Sequence, residues 1–280
     1  ASDDHYASIT TLYEQAKKSR TRHSEYEFSR NEYHRLLEQI GIRKNDIVLI
    51  HSGLHKFGLV EGGVSEILLG IQSVIGNRGT ILISTANVSE FIHNQFDVQE
   101  TPAEGNLGVL SEYVRCQEGS VRSNNPFESL CGLGYYSKDI CSGTNQYTYG
   151  MESPWRRALE CGAKLLMLGV GFYYAAIVHV AEVECKVYYR AWKKFNGTIV
   201  ENGKSKEMEY YLFARDLSLE CDYARITSVD GFDNGTNSMK TKLGGNIYCT
   251  DLTHVYDLYV QTLEKKPGYF VDLEKRRIRN

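Results

Sequence analysis

Three apolar runs of strand length, two of them passing straight into glycine-containing turns, restrict what this chain can build. They are Asp46–Ile50 followed by His51-Ser52-Gly53-Leu54, Thr80–Ser84, and Leu165–Leu168 followed by Gly169-Val170-Gly171. Unbroken apolar strands, without polar alternation, belong to a sheet covered on both faces. The segments between them have helical period. Ser29-Arg30-Asn31-Glu32 is a capping-box pattern ahead of Tyr33, Leu36, Leu37 and Ile40, which predicts a helix from Arg30 to Gln39 stopped by Gly41. Ile67, Leu68, Ile71, Val74 and Ile75 repeat that period after Gly62-Gly63. Residues 30–85 therefore read helix–strand–helix–strand, the rhythm of an α/β layer fold. Short helices are predicted at Leu107–Cys116 and at Trp155–Cys161, the second with Ser153 as cap and Pro154 in its first turn. From residue 190 the pattern turns to strands, at Phe195–Val200, Glu207–Leu212 and Arg225–Val229, with an Asn202-Gly203 hairpin turn and a closing helix at Asp251–Leu263. The expected fold is α/β: a central mixed sheet flanked by helices, with a β-rich C-terminal elaboration. It is expected as one domain over residues 1–280, with 1–28 as a peripheral arm carrying a weak helical stripe (Ile9, Leu12, Tyr13, Ala16).

An apolar share of 42% against 24% charged residues is that of an ordinary globular chain with ample material for a core. The net charge of −3, with acids and bases interspersed, excludes the basic face that nucleic acid or an anionic membrane would require. No apolar run approaches the ~20 residues that cross a bilayer. The seven cysteines are scattered without a CxxC pair, and the opening Ala-Ser-Asp-Asp shows no secretory pattern, so reduced thiols and a cytoplasmic location are expected.

The chemistry concentrates in Lys164–Tyr189. Beyond the strand and its glycine break, His179 and Glu182 stand three residues apart, on one face of a predicted helix. A carboxylate beside an imidazole orients the ring and keeps it basic, which makes a candidate general base just past a strand's C-terminal end, where open α/β sheets bind ligands. The plain alternative is a half-buried histidine beside a surface glutamate. The turn His51–Leu54 is a second ligand-contact candidate. Val60-Glu61-Gly62-Gly63 is a third, since glycines before a helix N-terminus let backbone N–H groups reach an anion, although such a pair is more often a plain turn. Around Pro126, Arg122, Ser123, Asn125 and Ser129 offer donors for phosphate or amide groups. Dispersed histidines give no metal-ligand spacing, and GxSxG, Walker A, HExxH and GxGxxG signatures are missing. A nucleophilic Cys131 or Cys185 would need a nearby base that the spacing does not supply.

Taken in order, HSGLHKFGLVEGG (51–63), RSNNP with Ser129 after it (122–129), YGMESP (149–154), KLLMLGVG (164–171) and IVHVAE (177–182) resemble the aminoglycoside 3-N-acetyltransferase family, over about residues 32–266. The resemblance implies transfer of an acetyl group from acetyl-CoA to the amine of an amino sugar, a small-molecule partner. In that scheme His179, oriented by Glu182, takes the amine proton. The turn Ser52-Gly53-Leu54 donates to the oxyanion, and the helix start at Gly62-Gly63 receives the CoA pyrophosphate. Arg122 with Ser123 or Ser129 holds pantetheine or phosphate, and the loop with Tyr149, Ser153 and Pro154 lies near the cofactor. Asp97, Asn125, Glu184, Tyr188 and Arg190 are the acceptor-side candidates. A homodimer is compatible with the pattern.

One departure affects the acceptor. The family pattern has His where this chain has Asn125, which cannot take a proton at neutral pH. Loop 86–106 keeps only Phe96-Asp97 of the family features. Two acceptors stay open: an aminoglycoside antibiotic, needing carboxylates such as Asp97, Glu100, Glu104 and Glu184, or a nucleotide-linked amino sugar of surface polysaccharide, needing cations such as Arg115, Lys186, Arg190, Lys193 and Lys194. The strip VYYRAWKKF (187–195) suits a nucleobase and phosphates, or else is a solvated edge. The rival classes are a CoA- or sugar-binding protein without catalysis and a thioester hydrolase; the presence of both His179 and Glu182 favours the transferase.

Overall fold

The computed structural model describes residues 27–272. The arm expected over 1–28 lies almost wholly outside them.

The capping box at Ser29 forms as its sequence predicts. Ser29 Oγ accepts from Glu32 N, the Glu32 carboxylate accepts from Ser29 N, and helix α1 (Arg30–Ile40) stops at Gly41 in the left-handed conformation. Strand β1 (Ile47–Ser52) follows, then a single turn α2 (Leu54–Phe57), helix α3 (Gly63–Ile75) and strand β2 (Thr80–Ser84). Residues 86–106, expected to be irregular, contain a short helix α4 (Val88–His93) and strand β3 (Gln95–Asp97). After them come α5 (Val109–Arg115), β4 (Val121–Arg122), β5 (Leu130–Gly134), α6 (Ser137–Cys141), α7 (Pro154–Glu160), β6 (Lys164–Leu168) and α8 (Val178–Glu184). The rest comprises β7 (Arg190–Glu201), β8 (Lys204–Arg215), β9 (Glu220–Cys221), β10 (Thr236–Lys240), β11 (Asn246–Asp251), α9 (Leu252–Lys265) and β12 (Val271–Asp272).

Seven strands form the central sheet in the order β10-β11-β6-β1-β2-β5-β4. Its middle, β6-β1-β2, is parallel, and every other pairing is antiparallel. The period of two sends Val48, Ile50, Ile81 and Ile83 to one face, under α1 and α3, and Ile47, Leu49, Leu82 and Met167 to the other, under α7, α8 and α9. Both faces are buried, as the unbroken apolar strands require.

The C-terminal elaboration divides. β10 and β11 extend the central sheet, whereas β7 and β8 form a long hairpin that pairs with β3. Its turn is Asn202-Gly203, with φ of +51° and +71°, both in the left-handed region that a two-residue hairpin turn of this kind requires. The strand expected at Arg225–Val229 is instead a 3-10 segment, Tyr223–Ser228. Asp222 caps it through Ala224 N, and Ile226 is buried against the helical layer, so local capping and packing override the β-branched composition.

Candidate active site

Because β1, β2 and β6 are parallel, their C-terminal ends lie at one edge, and their glycine turns meet there. Gly53 N–H donates to Leu168 O at 2.8 Å, which joins the turn after β1 to the end of β6. Gly169 sits at φ +74°, and a Cβ there would lie 2.4 Å from Phe57 N, so only glycine fits. A cavity of about 730 Å³ opens over this edge, walled by His51–Lys56, Ser84, Glu104–Val109, Tyr149, Gly169–Gly171 and Gly244–Asn246.

His179 stands on α8, which the chain enters from β6 through this glycine turn. Its Nδ1 lies 2.6 Å from Glu182 Oε2. The Glu182 carboxylate is fully buried, and every neighbour of it is a donor or a cation. Tyr189 and Tyr223 donate hydroxyl protons to Oε1 at 2.9 Å each, and Arg190 Nε lies 2.7 Å from Oε2. Burial pushes the Glu182 pKa up, but His179 and Arg190 outweigh it, and the carboxyl stays below its usual range. A carboxylate so held fixes the imidazole tautomer, with Nδ1–H donating to Glu182 and Nε2 carrying the lone pair. Arg190 Nη2, 3.1 Å from Nδ1, then serves Tyr223 Oη at 2.9 Å and not the ring. The sequence reading had Glu182 keep His179 basic. The structure reverses the sign: burial first, then the nearby guanidinium of Arg190, lower the His179 pKa below its ordinary value despite Glu182. The ring is 24% exposed and neutral at neutral pH, the state a base must have before it acts.

Tyr149 connects this pair to the cleft. Its ring packs 5.1 Å from that of His179 and 5.6 Å from that of Trp155, which stacks on His51 at 5.9 Å. Tyr149 holds a left-handed φ of +57°, and its N–H donates to the buried carboxylate of Glu128. Glu128 also accepts from Asn145 Nδ2, and its own carbonyl accepts from Trp155 Nε1 at 2.8 Å. Sequence reasoning missed Glu128, Tyr189 and Tyr223. An isolated Glu or Tyr carries no signal, and Tyr223 meets Glu182 across 41 residues of chain. His51 is held neutral, with burial pushing its pKa down to about 4, and its Nε2 is buried without a partner in the cleft wall.

Several residues expected at the site work elsewhere. Arg122 is buried, with its guanidinium engaged by Thr85 Oγ1, Ser129 Oγ and the carbonyls of Thr85 and Thr101 and its plane over Phe96. It clamps the loops after β2 and β3 and does not line the cleft. Ser123 Oγ accepts from Leu130 N, and Ser129 Oγ bonds Thr85 Oγ1, so both are interior. The helix start at Val60–Gly63 lies outside the cleft: Glu61 N–H donates to Phe28 O, Phe28 bridges Val60, and the Glu61 and Glu66 carboxylates stand beside it with Arg30, while Glu61 and Gly62 stay exposed. Carboxylates at that N-terminus replace the anion that the sequence suggested. Ser153 caps α7 by accepting from Arg156 N, with Pro154 as its first residue, and both serve to present Trp155. Of the oxyanion donors expected from Ser52, Gly53 and Leu54, that of Gly53 is taken by Leu168 O.

On the acceptor side, Asn125 is fully buried, donating to Asn145 O and accepting from Phe127 N. Asp97 Oδ1 accepts from Gln99 N and Glu100 N in a local turn. Glu184 pairs with Arg156, Tyr188 lies 64% exposed against Tyr189, and neither lines the cleft. Arg190 braces Glu182 and does not present itself for a ligand. Among the described residues no group of His, Cys, Asp and Glu could hold a metal ion, and no helix is long and apolar enough to cross a membrane.

The family model for aminoglycoside 3-N-acetyltransferase matches residues 49–263. The chain belongs to that family. Aminoglycoside N(3)-acetyltransferase IX of Micromonospora chalcea is 24% identical over 211 residues, 68% of this chain and 74% of the relative. The acetyltransferases of type III from Salmonella sp. and type VII from Streptomyces paromomycinus align over 60% and 57% of their length, so this chain matches less than two thirds of each. The fold is that of the solved family members. AAC-IIIb in binary complex with CoASH superposes with a TM-score of 0.75 at 21% identity, covering 85% of this chain and 97% of that one. AAC(3)-IVa in complex with gentamicin C1A gives 0.77 at 21% identity, covering 89% and 93%.

Proposed function

We propose that this chain is an acetyl-CoA-dependent N-acetyltransferase whose acceptor is a primary amine of an amino sugar, with His179 as the general base. The observation that carries this is an imidazole kept neutral by burial and Arg190 and held in one tautomer by a buried, four-partnered Glu182, beside the Tyr149 wall of a cleft. The cleft suits coenzyme A. It is lined by Leu54, Leu59, Val109 and Val170 along its length, carries Lys56 among its walls, and holds the orphaned Nε2 of His51 as a polar group awaiting a ligand. Bound there, acetyl-CoA supplies the thioester. Nε2 of His179 removes the proton from the sugar amine as its nitrogen attacks the carbonyl carbon. Collapse breaks the carbon–sulfur bond, and the thiolate leaves with the proton that His179 had taken.

An assay of CoA thiol release tests this, with acetyl-CoA and a panel of aminoglycosides and nucleotide-linked amino sugars. Turnover is expected with an amine acceptor and not with water alone; thiol release without any acceptor would make the protein a hydrolase. His179→Gln is expected to lower kcat by about 10²–10⁴ while leaving CoA affinity unchanged. A fully active variant overturns the mechanism.

A further inference from the structure

The hairpin β7–β8 carries a feature that the His179–Glu182 pair does not use. Residues paired across an antiparallel ladder, and those two apart on one strand, share a face. Arg190 pairs with Arg215, Trp192 with Phe213 and Lys194 with Tyr211, so these six side chains lie on one face of the hairpin. That face begins at the base, because Arg190 reaches Glu182, His179 and Tyr223. One step outward, the ring of Trp192 packs 4.8 Å from Phe213 and meets Tyr147 edge-on at 5.2 Å. Tyr147 in turn stacks flat on Tyr211, 4.6 Å apart with 7° between the planes.

These rings are not core. Trp192 is 41% exposed and Tyr147 47%, an unusual outlay of large aromatic surface on an exposed hairpin. They are nonetheless fixed. Tyr211 N–H donates to Gln146 O, Thr148 N–H to Tyr211 O, and Phe213 N–H to Thr148 Oγ1. The segment 146–149 is thus bonded along the hairpin, with Tyr147 on the ridge and Tyr149 against His179. A single short run of chain builds both the wall beside the base and the exposed ridge.

We infer that the Trp192–Tyr147–Tyr211 ridge is the acceptor subsite, on which a ring of the amino sugar lies flat while its amine reaches His179. This rests on His179 being the base. Pyranose rings present an apolar C–H face that aromatic rings recognise, and Tyr and Trp offer such a face at small entropic cost. The ridge is continuous with the base and separate from the cleft walls assigned to the cofactor, so donor and acceptor approach His179 from different sides. The charge beside the ridge agrees. Lys194 is ion-paired to Glu209, and the Glu209 carboxylate also accepts from Tyr211 Oη, so the carboxylate beside Tyr211 is already engaged.

The test uses the full chain with CoA present, sisomicin and UDP-glucosamine as probes, and saturation-transfer NMR of the sugar ring protons. Trp192→Ala and Tyr147→Ala change exposed side chains and should leave the fold intact. Each is expected to weaken binding of the bound probe about tenfold, with Trp192→Phe restoring most of it and CoA affinity unchanged. UDP-glucosamine reporting through its glucosamine protons supports the subsite; contact through the uracil protons alone overturns the assignment to a sugar ring. Binding of neither probe, binding indifferent to both alanine variants, or a loss of CoA affinity in place of probe affinity also overturns it. His179→Gln should leave probe binding intact while removing turnover, so failure of the base and failure of the ridge give different results.

Discussion

The charge state of His179 is set by three named neighbours, and their signs can be read in a pH profile. Burial, Arg190 and Arg215 disfavour the imidazolium, while Glu182 favours it, and the balance leaves the pKa below its ordinary 6.5. With His179 as the proposed base, the active form is the neutral ring, so kcat/KM should be flat near neutrality and fall as pH drops through a value below 6.5. Arg190→Gln removes a cation that works against protonation, so its acid limb should move to higher pH than in the wild type. Glu182→Gln removes the stabilising anion and should move the limb lower while also reducing kcat, since the tautomer is no longer enforced. Measuring kcat/KM against pH for the three proteins checks both signs; limbs at one pH would show that neither residue tunes the ring.

At the scale of elements, the site depends on two turns that touch backbone to backbone. Gly169 approaches the turn after β1 so closely that a methyl group at φ +74° would meet Phe57 N at 2.4 Å. Gly169→Ala is expected to cost about 2–4 kcal/mol of stability, from left-handed strain and overpacking together, and to open the cleft floor. Urea unfolding measures it. Ser153→Ala, which removes only the cap of α7 beneath Trp155, should cost about 1 kcal/mol. These elements were legible in the sequence because their signals are local: the Ser29 box, the Ser153-Pro154 start, the Asn202-Gly203 turn and the apolar strands all act within a few residues. The helix start at Gly62-Gly63 misled for the opposite reason. Its N–H groups look suited to an anion, but the start lies outside the cleft walls, Phe28 O takes Glu61 N–H, and the Glu61 and Glu66 carboxylates stand beside it, none of which is announced near residue 62. Arg122 failed likewise, since its acceptors Thr85 and Thr101 lie 37 and 21 residues away.

For the whole molecule, the parallel centre of the sheet separates two core clusters, one on each face, with a third under the β3–β7–β8 sheet, and the cleft lies at the edge where the central strands end. A ligand seated there touches the turns after β1 and β6, residues 104–109 leading into α5, and residues 244–246 leading into β11. It therefore bridges parts of the chain that unfolding must separate, and it has no equivalent site in the unfolded chain. Linkage then sets the size of the effect. CoA at about 100 times its Kd stabilises the native state by about 2.7 kcal/mol, which for a chain of this size raises Tm by about 5 °C. His179→Gln should show the same rise, because in the proposed mechanism the ring acts on the amine and not on the cofactor. Gly169→Ala should show a smaller one, because the floor of the cleft has moved. Thermal unfolding of the three proteins with and without CoA separates binding from chemistry. A wild-type Tm indifferent to CoA would remove the cofactor from this cleft, whatever the family likeness implies.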